Sequence, residues 1–484
     1  MLIKLPKKCY NHDIRLEIMN CIKYKLIFLA IMFFGVFGWT KSSGADTITA
    51  ASCSQADVQA TINSAATGDT VLIPAGNCTW GSTSAQVVVN KGITLQGSGK
   101  DSTVITVGLG TWSALSIKSS NANIKNFTMK TDINTTNNAD FISVASAAEQ
   151  WTISGMKFDQ TDKKLGTGTG YIFDLTSKRS NTTNTYGVIY NNEIMFDGEQ
   201  VNFRGPCDSW NIAHSMGGAQ NLFVEGNTFT KRPGGSIGYW DNNANSRAVF
   251  RYNTFNGVYI DAHGSWSNYE LCSPDTHPSA RHVEIYNNAW DGDVGWTTMY
   301  IRGGTGLLYN NAVTNNTHGR IQLDEYYVRS GKLNSPKWPY YPSACACDAD
   351  YPVIFQVGRG LNIDPTPTTG SDQASEPIFI WNNAKDLAPV TIDNNPYGGP
   401  SAACKTYCND TTLTVADFIS ENREYYTRAP QTGDWIYPYA PYTCPHPLTG
   451  LTDTCDSSIV GVAGYNVNAA DTMPPSPPSG LVIE

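Results

Sequence analysis

Between Asn123 and Val313 the chain keeps returning to one short pattern: "NIKNFTM", "TISGMKF", "VIYNNEI", "LFVEGNTF", "VFRYNTF", "VEIYNNAW" and "LLYNNAV". Apolar and polar letters alternate, β-branched and aromatic residues dominate, and Asn or Gly interrupts each run, which predicts strand, turn and strand rather than helix. Aligning the Asn before the final apolar pair gives Asn192, Asn227, Asn253, Asn288 and Asn311, at intervals of 35, 26, 35 and 23 residues. A minimum near 23 with occasional additions suits a coil of short strands whose extra residues bulge out as loops. One coil cannot bury its inner side chains alone, so coils must stack at the strand spacing of about 4.8 Å. An Asn recurring at one corner then tolerates the bend and bonds to the Asn above and below it.

Composition agrees: with 15% charged residues and 43 glycines, long amphipathic helices are scarce. The apolar run "KYKLIFLAIMFFGVFGW" (Lys23 to Trp39), followed by "SSGA", reads as a secretory signal over residues 1–45, with cleavage before Asp46 and Met19 as an alternative start. The run is short for a membrane span, so a secreted, extracellular protein without stable membrane insertion after cleavage is expected, with a retained N-terminal anchor as the alternative, and a monomer. Removing residues 1–45 takes away seven Lys/Arg and two Asp/Glu, so the formal charge of -9 becomes -14. That balance argues against nucleic acid as a partner, and a strongly acidic polysaccharide would need a local cationic patch or a bridging cation. Ten cysteines remain, an even number that implies disulfides in an exported chain. Cys53 with Cys78, Cys404 with Cys408, and Cys444 with Cys455 are neighbours, but spacing alone fixes no connectivity, and no zinc-ligand spacing is complete.

The stretch "SCSQADVQATINSAATGDTVLIPAGNCTW" (Ser52 to Trp80) and "GITLQGSG" (Gly92 to Gly99) resemble the opening of secreted bacterial right-handed parallel β-helix proteins of the pectate-lyase-like superfamily. The resemblance implies an all-β, right-handed parallel β-helix in which "DVQATINSA" is a short helix capping the open end and "VLIPAG" is the first strand. It runs to about Asn315, and "YTCPHPLTG" (Tyr442 to Gly450) resembles the sequence that often closes such proteins. The β-helix domain is placed at 46–465, with 46–80 as cap and first strand and 316–465 as last coils and a disulfide-containing C-terminal cover. Residues 466–484 form a Pro-rich tail. A superfamily of lyases, hydrolases, epimerases and adhesins fixes the fold better than the activity.

With the Asn corner as reference, a charged residue follows an inward apolar one in four coils: Asp241 after Trp240, Asp261 after Ile260, Arg302 after Ile301 and Asp324 after Leu323. Alternation along a strand sends these four outward, in one column on adjacent coils. The spacings to the corner, 12 for Asp241, 27 for Asp261 and 9 for Arg302, agree only when Ser267 to Ala280 is taken as an inserted loop. His263, Tyr239, Tyr259 and Tyr300 share the outward parity, His214 precedes Asp241 by one coil, and Trp266 and Tyr326 are loop aromatics suited to sugar faces.

Two like charges one strand spacing apart are tolerated where a cation or a shared proton is wanted. In a hydrolase, one carboxyl donates a proton while another activates water. In a lyase, a cation or Arg302 would offset a substrate carboxylate while a base, best His263, removes a proton. In a binding protein the acids would hold sugar hydroxyls or calcium, the one cofactor the pattern suggests. "DAHG" and "GRIQ" resemble polygalacturonase-like signatures, with Ala262 for glycine, Gln322 for lysine and Asn242 for the second acid of a pair, and "YIDAHG" resembles a pectate lyase run. The expectation is a polysaccharide-degrading lyase or glycoside hydrolase, with a carbohydrate-binding adhesin as the alternative.

Overall fold

The computed structural model describes residues 44–455, apart from 82–85, 109–112, 132–139, 162–169, 177–184, 206–208, 265–277, 325–350, 365–369, 395–404, 407–408, 413 and 453–454. Each coil lays down three strands in turn, as in Arg247–Arg251, Thr254–Asn256 and Val258–Ala262. Equivalent strands pair in parallel with the coils before and after, giving sheets that we label I, II and III, of 12, 11 and 10 strands among the described residues. The chain is a parallel β-helix.

The corner between sheets I and II is built from two residues. The first is left-handed: Asn191, Gly226, Tyr252, Asn287, Asn310 and Asn382 have φ between 51° and 65°, a region that Asn and Gly enter most readily. Tyr252 is the bulky exception, and its hydroxyl accepts a hydrogen bond from Asn287 at 2.9 Å. The second residue is the ladder Asn. Asn192 donates to Asn227 at 2.9 Å, Asn227 to Asn253 at 3.0 Å, Asn253 to Asn288 at 2.9 Å and Asn288 to Asn311 at 3.0 Å. Asn311 continues to Asn383 at 2.8 Å, a rung 72 residues on that the regular spacing could not announce. Inside the coil, Phe229, Phe255 and Trp290 stack with centroids 4.8 and 4.6 Å apart, and Trp240 meets Phe229 and Phe250 edge-on. Stacking of like residues on like is what parallel register imposes.

The helix Gln55–Ser64 closes the N-terminal end. Ser54 caps it by accepting from the Asp57 amide, Val58 and Ile62 are buried against the first coil, and Lys91 donates to the carbonyls of Ile62, Asn63 and Ala65, which answers helix-end acceptors with a positive charge. A disulfide between Cys53 and Cys78 ties the cap to the first coil, and Cys444 bonds Cys455. Cys404 and Cys408 lie outside the described residues.

The C-terminal cover is a strap along the outer face of sheet I. Ile436 and Tyr439 join Val188, Phe223, Val249, Leu307 and Phe379 in a second apolar cluster outside the coil. Polar bonds hold the same segment: Arg251 donates to the carbonyls of Tyr442 and Thr443, Tyr439 donates to Glu284, and the His446 amide donates to Glu225. Among the described residues no helix is long and apolar enough to cross a membrane.

Candidate active site

The outer face of sheet III carries the residues singled out above. Its strands Glu199–Arg204, Gly238–Asn243, Val258–Ala262, Met299–Ile301 and Arg320–Leu323 lie side by side. Trp240, Ile260, Met299 and Ile321 share the inward row, and alternation turns their neighbours outward.

The outward residues fall into three rows rather than one column. Asp241, Asp261, Tyr300 and Gln322 are in direct register. Continuing the same register by two residues aligns Asn243, His263, Arg302 and Asp324 in a second row. Glu199, Tyr239 and Tyr259 form the third. Arg302 and Asp324 therefore sit beside Asp241 and Asp261, not above them. The corner spacing misled because loops of unequal length intervene between sheet III and the ladder.

The rows are cross-linked. Arg302 grips Asp261 with two donors, Nε to Oδ1 at 3.0 Å and Nη2 to Oδ2 at 2.5 Å, a bidentate charge-assisted pair. Its guanidinium also lies 4.9 Å from the Tyr300 ring centroid, and the Tyr300 hydroxyl donates to Asp324. Asn243 donates to Asp241 Oδ2, whereas Asp241 Oδ1 is buried without a hydrogen-bond partner. His263 Nδ1 lies 2.7 Å from the Gly264 carbonyl. A carbonyl only accepts, so Nδ1 carries a proton, and a lone pair on this ring can sit only on Nε2. Tyr239 stacks on Tyr259 at 5.1 Å, Trp296 meets Tyr259 and Tyr300 edge-on, and Tyr239 donates to Glu199 at 3.0 Å.

This face is buried, not an open groove: Asp241 is 4% exposed, Asp261 2%, His263 6%, Arg302 9% and Asp324 3%. Burial pushes the Asp241 carboxyl well above the usual range, and the charges of Asp261 and Glu199 push further. Burial also raises Asp261, to about 6, against the pull of Arg302. The two acids thus have unequal surroundings: Arg302 hydrogen-bonds Asp261, whereas at Asp241 its charge is outweighed by burial and by the charges of Asp261 and Glu199. Burial lifts the hydroxyls of Tyr239 and Tyr259 beyond any physiological titration.

Arg302, expected to be available for a substrate carboxylate, clamps Asp261 instead. His214 lies elsewhere: it meets Trp435 edge-on at 5.0 Å and faces Arg247, Arg281 and Glu376, a cluster at the start of sheet I, because the segment after Arg204 turns away from sheet III. Trp266 and Tyr326 lie outside the described residues. No group of three His, Cys, Asp or Glu side chains that could hold a metal ion is found among the described residues, and the cation bonded to Asp261 is Arg302. Asn243 went unnoticed in the sequence although it shares the parity of Asp241. Glu199 was hidden by a bulge at Gln200, which breaks the alternation before Val201.

No family model and no curated protein sequence matches the chain. Among solved structures it is similar to an alginate lyase from Paenibacillus sp. str. FPU-7, at 14% identity over 58% of this chain and 93% of that one, with a TM-score of 0.33. It is also similar to pectin methylesterase PemA from Erwinia chrysanthemi, at 11% identity over 73% of this chain and 92% of that one, TM-score 0.32. A third is the catalytic domain of a GH87 α-1,3-glucanase, at 10% identity over 73% and 68%, TM-score 0.29. These neighbours are polysaccharide-acting enzymes; the coil of this chain stands on its own three sheets.

Proposed function

We propose that this chain is an exported enzyme that hydrolyses a polysaccharide on the outer face of sheet III, with Asp241 as proton donor and Asp261 as its ionised partner. One observation carries the reading: two carboxyls in direct register, buried together, of which only Asp261 is gripped by a guanidinium. Paired acids whose surroundings push their proton affinities apart are the arrangement that general acid and base need. Asp241 gives its proton to the glycosidic oxygen as the C–O bond breaks. Asp261, charged above pH about 6, takes a proton from the water that attacks the anomeric carbon. Arg302 holds Asp261 in the charged form, and Asn243 orients Asp241 through Oδ2, with Oδ1 left for the leaving oxygen. Export is supported by the Cys53–Cys78 and Cys444–Cys455 bonds, which persist in oxidising compartments.

Elimination is the second reading, because His263, with Nδ1 turned to the Gly264 carbonyl, has Nε2 as the nitrogen that can act as base in the row of Arg302. It is the weaker one, since Arg302 is already committed to Asp261. The experiment is digestion of plant, algal and bacterial polysaccharides, following new reducing ends and the absorbance of unsaturated sugars together. Ends without absorbance support hydrolysis, and ends with absorbance replace it by elimination. Retention of glycan without cleavage would leave a binding protein.

A further inference from the structure

The charge of the sheet III face constrains the sugar. Glu199, Asp241 and Asp261 are near enough for each to raise the proton affinity of Tyr239. Towards the N-terminal coils the carboxyls continue: Asn202 donates to Asp174 at 3.2 Å, and Asp140, beside Asp174, is pushed by burial up to about 6. Towards the C-terminal coils lies Asp324, bonded to Tyr300. The cations on this stretch among the described residues are Arg204, in register with Asn243, Arg302, held by Asp261, and Arg320, further along the Tyr239–Tyr259 row and paired with Asp393 at 3.6 Å.

An acidic chain would bring further negative charge to a buried face whose own carboxyls already repel one another. Low dielectric magnifies that repulsion, and like charges facing each other across an interface cost several kcal/mol. The net negative charge of the whole chain acts in the same sense at longer range. What the face offers instead is chemistry for hydroxyl-bearing sugars: the stacked rings of Tyr239 and Tyr259, 5.1 Å apart, and carboxyl oxygens that accept from hydroxyls, including the buried and unbonded Oδ1 of Asp241.

We infer that the polysaccharide cleaved here carries no acidic groups, so that uncharged glycans are accepted on the Tyr239–Tyr259 rings while polyuronates and sulfated glycans are refused. The inference rests on the hydrolysis proposed above. Its test uses the full chain and measures kcat/KM by reducing-end release on linear glucans, mannans and xylans, on chitosan, and on alginate and polygalacturonate. The expected result is cleavage of an uncharged or amino-sugar chain at least about 100-fold faster than any polyuronate, the scale set by like-charge juxtaposition. A polyuronate cleaved fastest overturns the substrate class and leaves the cleavage reading standing. Should no polysaccharide be cut, affinity electrophoresis with the same glycans decides: retardation by uncharged glycans keeps the class and removes the chemistry, retardation by polyanions overturns the class, and retardation by none overturns both.

Discussion

Arg302 lies two residues beyond Tyr300, the residue in register with Asp261, yet its guanidinium reaches back across the strand to hold both oxygens of Asp261. This diagonal contact splits the acid pair into unlike partners. Without it, Asp261 would be a second buried carboxyl with neighbours like those of Asp241.

Replacing Arg302 by Gln is therefore expected to push the Asp261 carboxyl above its value of about 6, because desolvation remains and the opposing charge is gone. The rise of kcat/KM with pH should move to higher pH, with activity near pH 6 falling most. The acids titrate as a pair, so the limb reports an apparent value for both. Removing one partner of a buried ion pair should also cost about 3–5 kcal/mol of stability. Arg302→Lys keeps the charge without the fork and should fall between. A limb that stays in place would detach Asp261 from the reaction.

Asp241→Asn copies the protonated side chain, so its effect on stability depends on pH with a definite sign. The folded-state value lies well above the ordinary 3.8. The stability that Asp241 contributes is thus fully present below that ordinary value and is lost as pH rises through the folded one. Thermal denaturation should show the Asn variant gaining on the parent protein from about pH 4 upward. Activity should fall by about 10²–10⁴, the usual contribution of a positioned acid. A parent protein that gained on the variant with rising pH would mean an ionised Asp241 and no proton donor.

The coil was legible in the sequence because its signal is local: each ladder Asn follows a left-handed residue, and both preferences belong to the residue itself. Trp240 was legible for a similar reason, since its parity alone turns it inward. The three-row arrangement of the site was not, because the distance from sheet III to the ladder depends on loop length, which side-chain chemistry does not encode. Burial of the site was equally hidden, as alternation says which way a side chain points but not what lies beyond it. The C-terminal cover was legible, but its course along sheet I was not, because its anchors, Tyr439 and Glu284, are 155 residues apart and belong to no repeat.

The ladder itself is open to test at Asn253. Its Oδ1 accepts from both the amide and the side chain of Asn227, and its own Nδ2 donates to Asn288 and to the Val224 carbonyl. Asn253→Ala leaves buried donors and acceptors on both neighbouring coils without partners, at about 1–3 kcal/mol for each such group. The midpoint of thermal unfolding should drop by several degrees, while kcat/KM well below that midpoint stays within about twofold of the parent, because the corner lies away from sheet III. A variant as stable as the parent protein would mean that the turn, not the ladder, holds the corner.

The contact between the strap and sheet I holds two buried groups with opposed linkage, Glu284 on the sheet and His446 on the strap. Glu284 accepts from the Tyr439 hydroxyl at 2.5 Å and from the Gly217 amide at 3.0 Å, and burial pushes its carboxyl up to about 7 from an ordinary 4.5. Its contribution is present below about 4.5 and lost as pH rises through 7. His446 accepts from the Leu448 amide, and burial with Arg251 nearby lowers it to about 4 from 6.5. Its contribution is present above 6.5 and lost as pH falls through 4. Across pH 4.5–6.5 the two slopes oppose each other, so the parent strap should resist proteolysis almost equally throughout. Glu284→Gln removes one slope, and the strap should become more protected as pH rises. His446→Gln removes the other, and protection should decline over the same range. Hydrogen exchange at residues 436–449, measured at pH 4.5, 5.5 and 6.5 with correction for intrinsic rates, distinguishes these outcomes; two variants with parallel pH profiles would show that neither group titrates with the docking of the strap.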